Sequence, residues 1–137
     1  MFGSRPRLFL VALIGAGAMV AGTSSASAAI TSFSVNDKAA LQLDGTVAVV
    51  TGFVQCSPGD TVDISSTVIQ TKGQLLVEGF GDSGSITCTG SLQPWSVAVQ
   101  VAIGGAFKHG QASSLNQAFD TTDSTSENAD QTLKLGH

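Results

Sequence analysis

Residues 93–103 alternate without a break. Trp95, Val97, Val99, Val101 and Ile103 take one set of positions, and Ser96, Ala98, Gln100 and Ala102 take the other. A period of two is the signature of a pleated strand with one buried face. The same period runs through residues 61–71, where Val62, Ile64, Ser66 and Val68 read as core and Asp63, Ser65, Thr67 and Thr71 as surface. Residues 46–56 form a third long run. Its even positions are Ala48, Val50, Gly52, Val54 and Cys56, and its odd positions are Val47, Val49, Thr51, Phe53 and Gln55. Both sets are apolar enough to predict cover on each side, from a neighbouring strand or a ligand.

Shorter runs at 31–35, 40–43, 74–80, 85–89 and 111–119 predict further strands, with a last edge strand at 132–135. Between them stand residues that favour turns: Asp44-Gly45, Ser57-Pro58-Gly59-Asp60, Lys72-Gly73 and Gly104-Gly105. Pro presets φ in such turns and Gly takes the left-handed position. GDSGS at 81–85 reads as a loop, and DTTDSTSENADQ at 120–131 as a long exposed acidic loop. Seven to nine short strands without a helix predict an all-β fold, a single antiparallel immunoglobulin-like β-sandwich. Composition agrees, since 36 of the 109 residues from Ala29 to His137 are Ser, Thr or Val.

The N-terminus changes the picture. Arg5 and Arg7 precede an apolar run at 8–21, and Ala26-Ser27-Ala28 follows it. That is the layout of a cleavable signal peptide over residues 1–28, with cleavage after Ala29 as the alternative. The run falls short of the roughly 18 apolar residues that a spanning helix needs. Residues 29–137 are then one exported domain, secreted to the extracellular side and free of the membrane after cleavage. Both arginines leave with the leader, so four Lys face ten Asp and Glu. A chain of that charge without arginine is a poor match for a polyanion, and nucleic acid is not an expected partner.

Cys56 and Cys88 are the two cysteines of the chain. In an oxidising compartment they are expected to pair, and such a link stabilises by roughly 3 to 4 kcal/mol in the chain-entropy model. No second cysteine or histidine stands at metal-ligand spacing from either one.

DGTV at 44–47, CSPGDTV at 56–62, VIQ at 68–70, CTG at 88–90, QPW at 93–95 and GGAFKHGQA at 104–112 form one string of motifs. It resembles a group of small secreted actinobacterial proteins with immunoglobulin-like sandwich domains and no assigned activity. The resemblance spans residues 31–119. It rests on turn and core motifs, so it implies fold and secretion and carries over no catalytic residue. Apart from the resemblance, the sandwich reading expects Cys56 and Cys88 to bridge core positions with Trp95 packed beside them. A weaker resemblance is to the enediyne-binding apoproteins, small acidic secreted sandwiches. Those proteins carry two disulfides where this chain can form one, a departure that falls on their ligand cleft.

Candidate chemistry is sparse. GDSGS matches the nucleophile loop of trypsin-like proteases, but His109 and His137 both follow Ser83, and one small domain cannot supply the two barrels that such enzymes need. Asp120, Asp123, Glu127 and Asp130 could gather calcium, yet the run lacks the glycine and the tight alternate spacing of a calcium loop, so a solvated acidic loop is expected. Phe53, Val47, Val49 and Ile69 would face outward, where terminal strands are expected to cover them. Phe53, Trp95 and Phe107 are the candidates for a ligand or partner surface. The expectation is therefore a non-enzymatic protein without cofactor or metal. It would be an interaction module for an extracellular protein or cell-envelope component, or alternatively a carrier of a small apolar ligand.

Overall fold

A computed structural model describes residues 29–136; the expected signal peptide and His137 lie outside the described residues. The alternating runs become eight strands: β1 (Ile30–Val35), β2 (Lys38–Gln42), β3 (Val47–Cys56), β4 (Thr61–Lys72), β5 (Leu75–Thr87), β6 (Gln93–Ile103), β7 (Gly110–Asp120) and β8 (Thr125–Gly136). The all-β expectation holds, and the bounds of β6 are those its alternation predicts.

The strands do not form the two facing sheets of a sandwich. They close into a seven-stranded barrel in the order β3-β2-β8-β7-β4-β5-β6, with β6 returning to β3 along eight residue pairs from Val47↔Gln100 to Val54↔Gln93. β1 and β2 share one edge of β3. β1 pairs with its Gly52–Cys56 half, and β2 pairs with its start. They therefore act as one interrupted strand. Asn36 stitches the interruption, donating from its backbone to the Thr51 carbonyl at 2.8 Å and from Nδ2 to Thr51 Oγ1 at 2.8 Å. The seam between β2 and β8 is parallel and short: Lys38↔Lys134, Ala39↔Leu135 and Ala40↔Gly136. Period-two alternation reports that one face is buried. It is silent on whether the opposite wall is a second sheet or the same sheet curled round, which is why the sandwich reading went astray.

Glycines make the curl possible. Gly79 and Gly81 point inward on β5, and a Cβ there would collide with the backbone of Gln100 and Ala98 on β6. The two backbones thus approach more closely than side chains permit, and the sheet turns a corner.

Two expected loops are strand. GDSGS lies inside β5, which runs unbroken where two strands were expected. The ladder with β4 slips between Asp63 and Ser65. There Ser83 Oγ accepts the Ile64 N–H at 3.0 Å and donates to the Gly84 carbonyl at 2.7 Å. A side chain fills a gap in the backbone ladder, so the motif is a bulge. The acidic stretch after Phe119 likewise continues β7 to Asp120, turns, and returns as β8, paired from Asp120↔Thr125 to Gly110↔Leu135.

The interior is filled by the predicted core sets. Ala48, Val50 and Val54 of β3, Val62, Ile64 and Val68 of β4, and Val97 and Val99 of β6 are buried. Trp95 joins them with its ring centroid 5.7 Å from that of Phe33. Leu133 and Leu135 of β8 complete this apolar core. Between β4, β7 and the first half of β8 a polar network takes over. Ser66 Oγ donates to Asn116 Oδ1 at 2.7 Å, and Asn116 Nδ2 donates to Ser114 Oγ at 2.9 Å and to the Ala129 carbonyl at 3.0 Å. The first half of β8 is mostly exposed and meets this network through its backbone, so that half needs no apolar face and its sequence resembles a loop.

Candidate functional site

The antiparallel strands give the barrel two chemically different ends. β4 runs from the Asp60 turn to Lys72, and β7 runs the other way, from Gly110 to Asp120.

At the lysine end, the 104–109 connection folds back over the barrel. Phe107 is 2% exposed and donates its N–H to the Gly45 carbonyl at 2.8 Å. Gln70, 1% exposed, holds the next residue. Its Nε2 donates to the carbonyls of Lys108 at 2.9 Å and Gln111 at 3.2 Å, and its Oε1 accepts the Lys108 N–H at 2.8 Å. Gly104 adopts φ 95°, and a Cβ there would strike the Leu76 carbonyl, so the connection lies flat on β5. Between this connection and the β4–β5 hairpin lies a cleft of about 460 Å³, lined by Lys72, Leu75, Val77, Gly104, Ala106 and Lys108 among others. Its walls are mostly apolar, and it has Lys72 and Lys108 among its lining residues.

At the other end, the disulfide sits under the Ser57–Asp60 turn. Cys56 and Cys88 are bridged with 5.5 Å between their Cα atoms. Cys88 donates to the Asp60 carbonyl at 2.8 Å and accepts from Gly59 at 2.9 Å. Asp120 is the last inward-facing residue of β7 and is fully buried. Its Oδ1 accepts the N–H groups of Thr122 at 2.9 Å and Asp123 at 3.2 Å, while its Oδ2 is buried without a donor. Carboxylate oxygens of Asp60, Asp120 and Asp123 lie within 4.8 Å of one another. A hydrogen bond that protonated Asp60 can donate to the Asp120 carboxyl, together with desolvation and the charges of Asp120 and Asp123, pushes the Asp60 pKa up to about 6. Asp120 and Asp123 were sequence candidates. Glu127 and Asp130 are not in this group, and Asp60 was missed because it belongs to a turn distant in the chain.

The remaining sequence candidates scatter. Of Phe53, Trp95 and Phe107, Phe53 reaches solvent at 40% exposure, whereas Trp95 and Phe107 are core. None of the three lines the lysine-end cleft. Val47 is buried and Val49 and Ile69 are half-buried, so the outward stripe is partly covered. Ser83 stands beside Ile64, and His109 follows the Lys108 that Gln70 holds. Six residue steps along β4 separate Ile64 from Gln70, about 20 Å at strand rise, so Ser83 and His109 do not form a nucleophile–base pair. No helix among the described residues is long and apolar enough to cross a membrane. No protein-family profile, curated protein or solved structure matches the chain.

Proposed function

We propose that this chain is a secreted, non-enzymatic binding module whose lysine-end cleft takes a small amphipathic anion. The observation that carries the reading is the apolar cleft flanked by Lys72 and Lys108, fixed in shape by the Gln70 clamp. Apolar walls supply affinity by excluding water, and an ammonium at the mouth selects a carboxylate or phosphate over a neutral head. This keeps the carrier expectation and moves its lining away from Phe53, Trp95 and Phe107. The signal-peptide layout of residues 1–28 and the Cys56–Cys88 bridge support export, because disulfides persist in oxidising compartments. The scattered placement of Ser83 and His109 supports a non-catalytic role.

Thermal melts with a medium-chain carboxylate and the corresponding alcohol test it. The carboxylate is expected to raise Tm saturably, with about tenfold weaker response from the alcohol, the ratio that one charged contact of 1.4 kcal/mol gives. A Lys72→Ala, Lys108→Ala double variant should lose that preference. Equal, non-saturable responses to both compounds would sink the proposal.

A second reading, an interaction module for an extracellular protein or envelope component, is favoured by the outer face. Phe80 and Leu115 flank Thr67 on neighbouring strands and are 50% and 51% exposed. Capture of a partner by wild type, lost on Phe80→Ser with Leu115→Ser, distinguishes it from the cleft reading.

A further inference from the structure

The Asp60 end contains a grouping that neither reading uses. Three carboxylates from two turns converge within 4.8 Å. Asp120 is fully buried, and its Oδ2 has no donor among the described residues. A buried carboxylate oxygen without a donor is costly, and like charges around it add to the cost. Among the described residues, no lysine stands here. Lys72 and Lys108 flank the opposite cleft, and Lys38 and Lys134 pair in the β2–β8 seam. Along β4, eleven residue steps separate Thr61 from Lys72, about 36 Å.

We propose that Asp60, Asp120 and Asp123 form a calcium site at the disulfide end of the barrel. The donors are all oxygen, which suits a hard cation, and no imidazole or free thiol joins them. Calcium holds its oxygens at about 2.3–2.6 Å, so ligands on opposite sides of the ion stand about 5 Å apart, the span of this group. Asp120 is the anchor, because its Oδ1 is fixed by two turn N–H groups while Oδ2 is left for the ion. Asp60 approaches from the turn that Cys88 tethers, and Asp123 from the β7–β8 turn, where Thr125 donates to its Oδ1 by both N–H and hydroxyl. Water completes the coordination. The bound ion would tie the β3–β4 and β7–β8 turns together.

Calorimetric titration of the purified protein with CaCl2 near pH 7.5, with paired thermal melts, tests the site. Saturable binding is expected at about 10⁻⁴–10⁻³ M, the range of extracellular calcium modules, with a parallel rise in Tm. Asp60→Asn and Asp123→Asn, which leave the buried Asp120 untouched, should each weaken binding at least tenfold. Both should leave the lysine-end cleft unaffected. Failure of calcium to bind, a Tm rise matched by NaCl at equal ionic strength, or undiminished binding in both variants would overturn the proposal.

Discussion

Gln70 is the residue whose loss should be felt both in the fold and at the cleft. Replacing it by Met keeps the length of the side chain and removes three hydrogen bonds, two to carbonyls and one from the Lys108 N–H. At about 1 kcal/mol per bond, with a further penalty for backbone groups left buried without partners, Gln70→Met should cost about 3 to 4 kcal/mol. For a domain of this size that corresponds to a Tm drop of about 12 °C or more. Urea and thermal melts followed by far-ultraviolet circular dichroism measure it. Gln70→Glu refines the test. Ionised, the carboxylate presents negative oxygens to two carbonyls and has nothing to donate. Its folded pKa should therefore rise above the ordinary glutamate value of about 4.3. A carboxyl with a raised folded pKa binds its proton more tightly in the folded state, so stability falls as pH rises through that window. Acidification from about pH 7 to about pH 5 should then recover part of the loss in Gln70→Glu and none of it in Gln70→Met. A Gln70→Met variant melting within about 3 °C of wild type would refute the clamp, as would identical pH responses from the two variants.

Replacing both Cys56 and Cys88 by Ala opens a loop with a sequence separation of 32 and should cost about 4 kcal/mol, read as a lower urea midpoint. Gly52 sits where β1 and β6 both press on β3. A Cβ there would strike the Ser34 carbonyl and come within 2.7 Å of the Trp95 ring. Gly52→Ala should therefore cost about 3 kcal/mol and shift the fluorescence of this sole tryptophan to longer wavelength; an unshifted spectrum at unchanged stability would refute the packing. In calcium-free buffer, the Asp60 carboxyl titrates near 6 when folded against 3.8 as its ordinary value, so its repulsion with Asp120 destabilises the fold increasingly as pH rises through that window. Asp60→Asn should accordingly gain stability over wild type at about pH 7 and not at about pH 4; a pH-independent difference would contradict the carboxyl–carboxyl contact.

β6 was legible because it is buried on one face only, which is the condition under which period two is clean. The inward set of β4 was legible for the same reason, whereas β3 is apolar on both faces and its alternation alone did not choose between them. The turn at Pro58-Gly59 was also legible, and Gly59 takes φ 88° there. The Cys56–Cys88 bridge followed from a count of two in a chain that reads as exported. The end of β8 was legible at 132–135, whereas its N-terminal half was hidden because it is mostly exposed and meets the Ser66–Ser114–Asn116 network through its backbone. Ser83 was hidden because a side chain that completes a backbone ladder looks, in one dimension, like any loop serine.

The sequence by itself determined most of the apolar residues that turn inward on β4 and β6, and where most strands begin. Each of these is local, set by alternation, turn chemistry and composition. The tertiary structure alone decided that the sheet curls into a closed barrel, that the lysine-flanked cleft and the carboxylate group lie at opposite ends, and that Asp60 meets Asp120 and Asp123. Those outcomes depend on which strands become neighbours, and pairing between distant segments leaves no periodic trace in the chain.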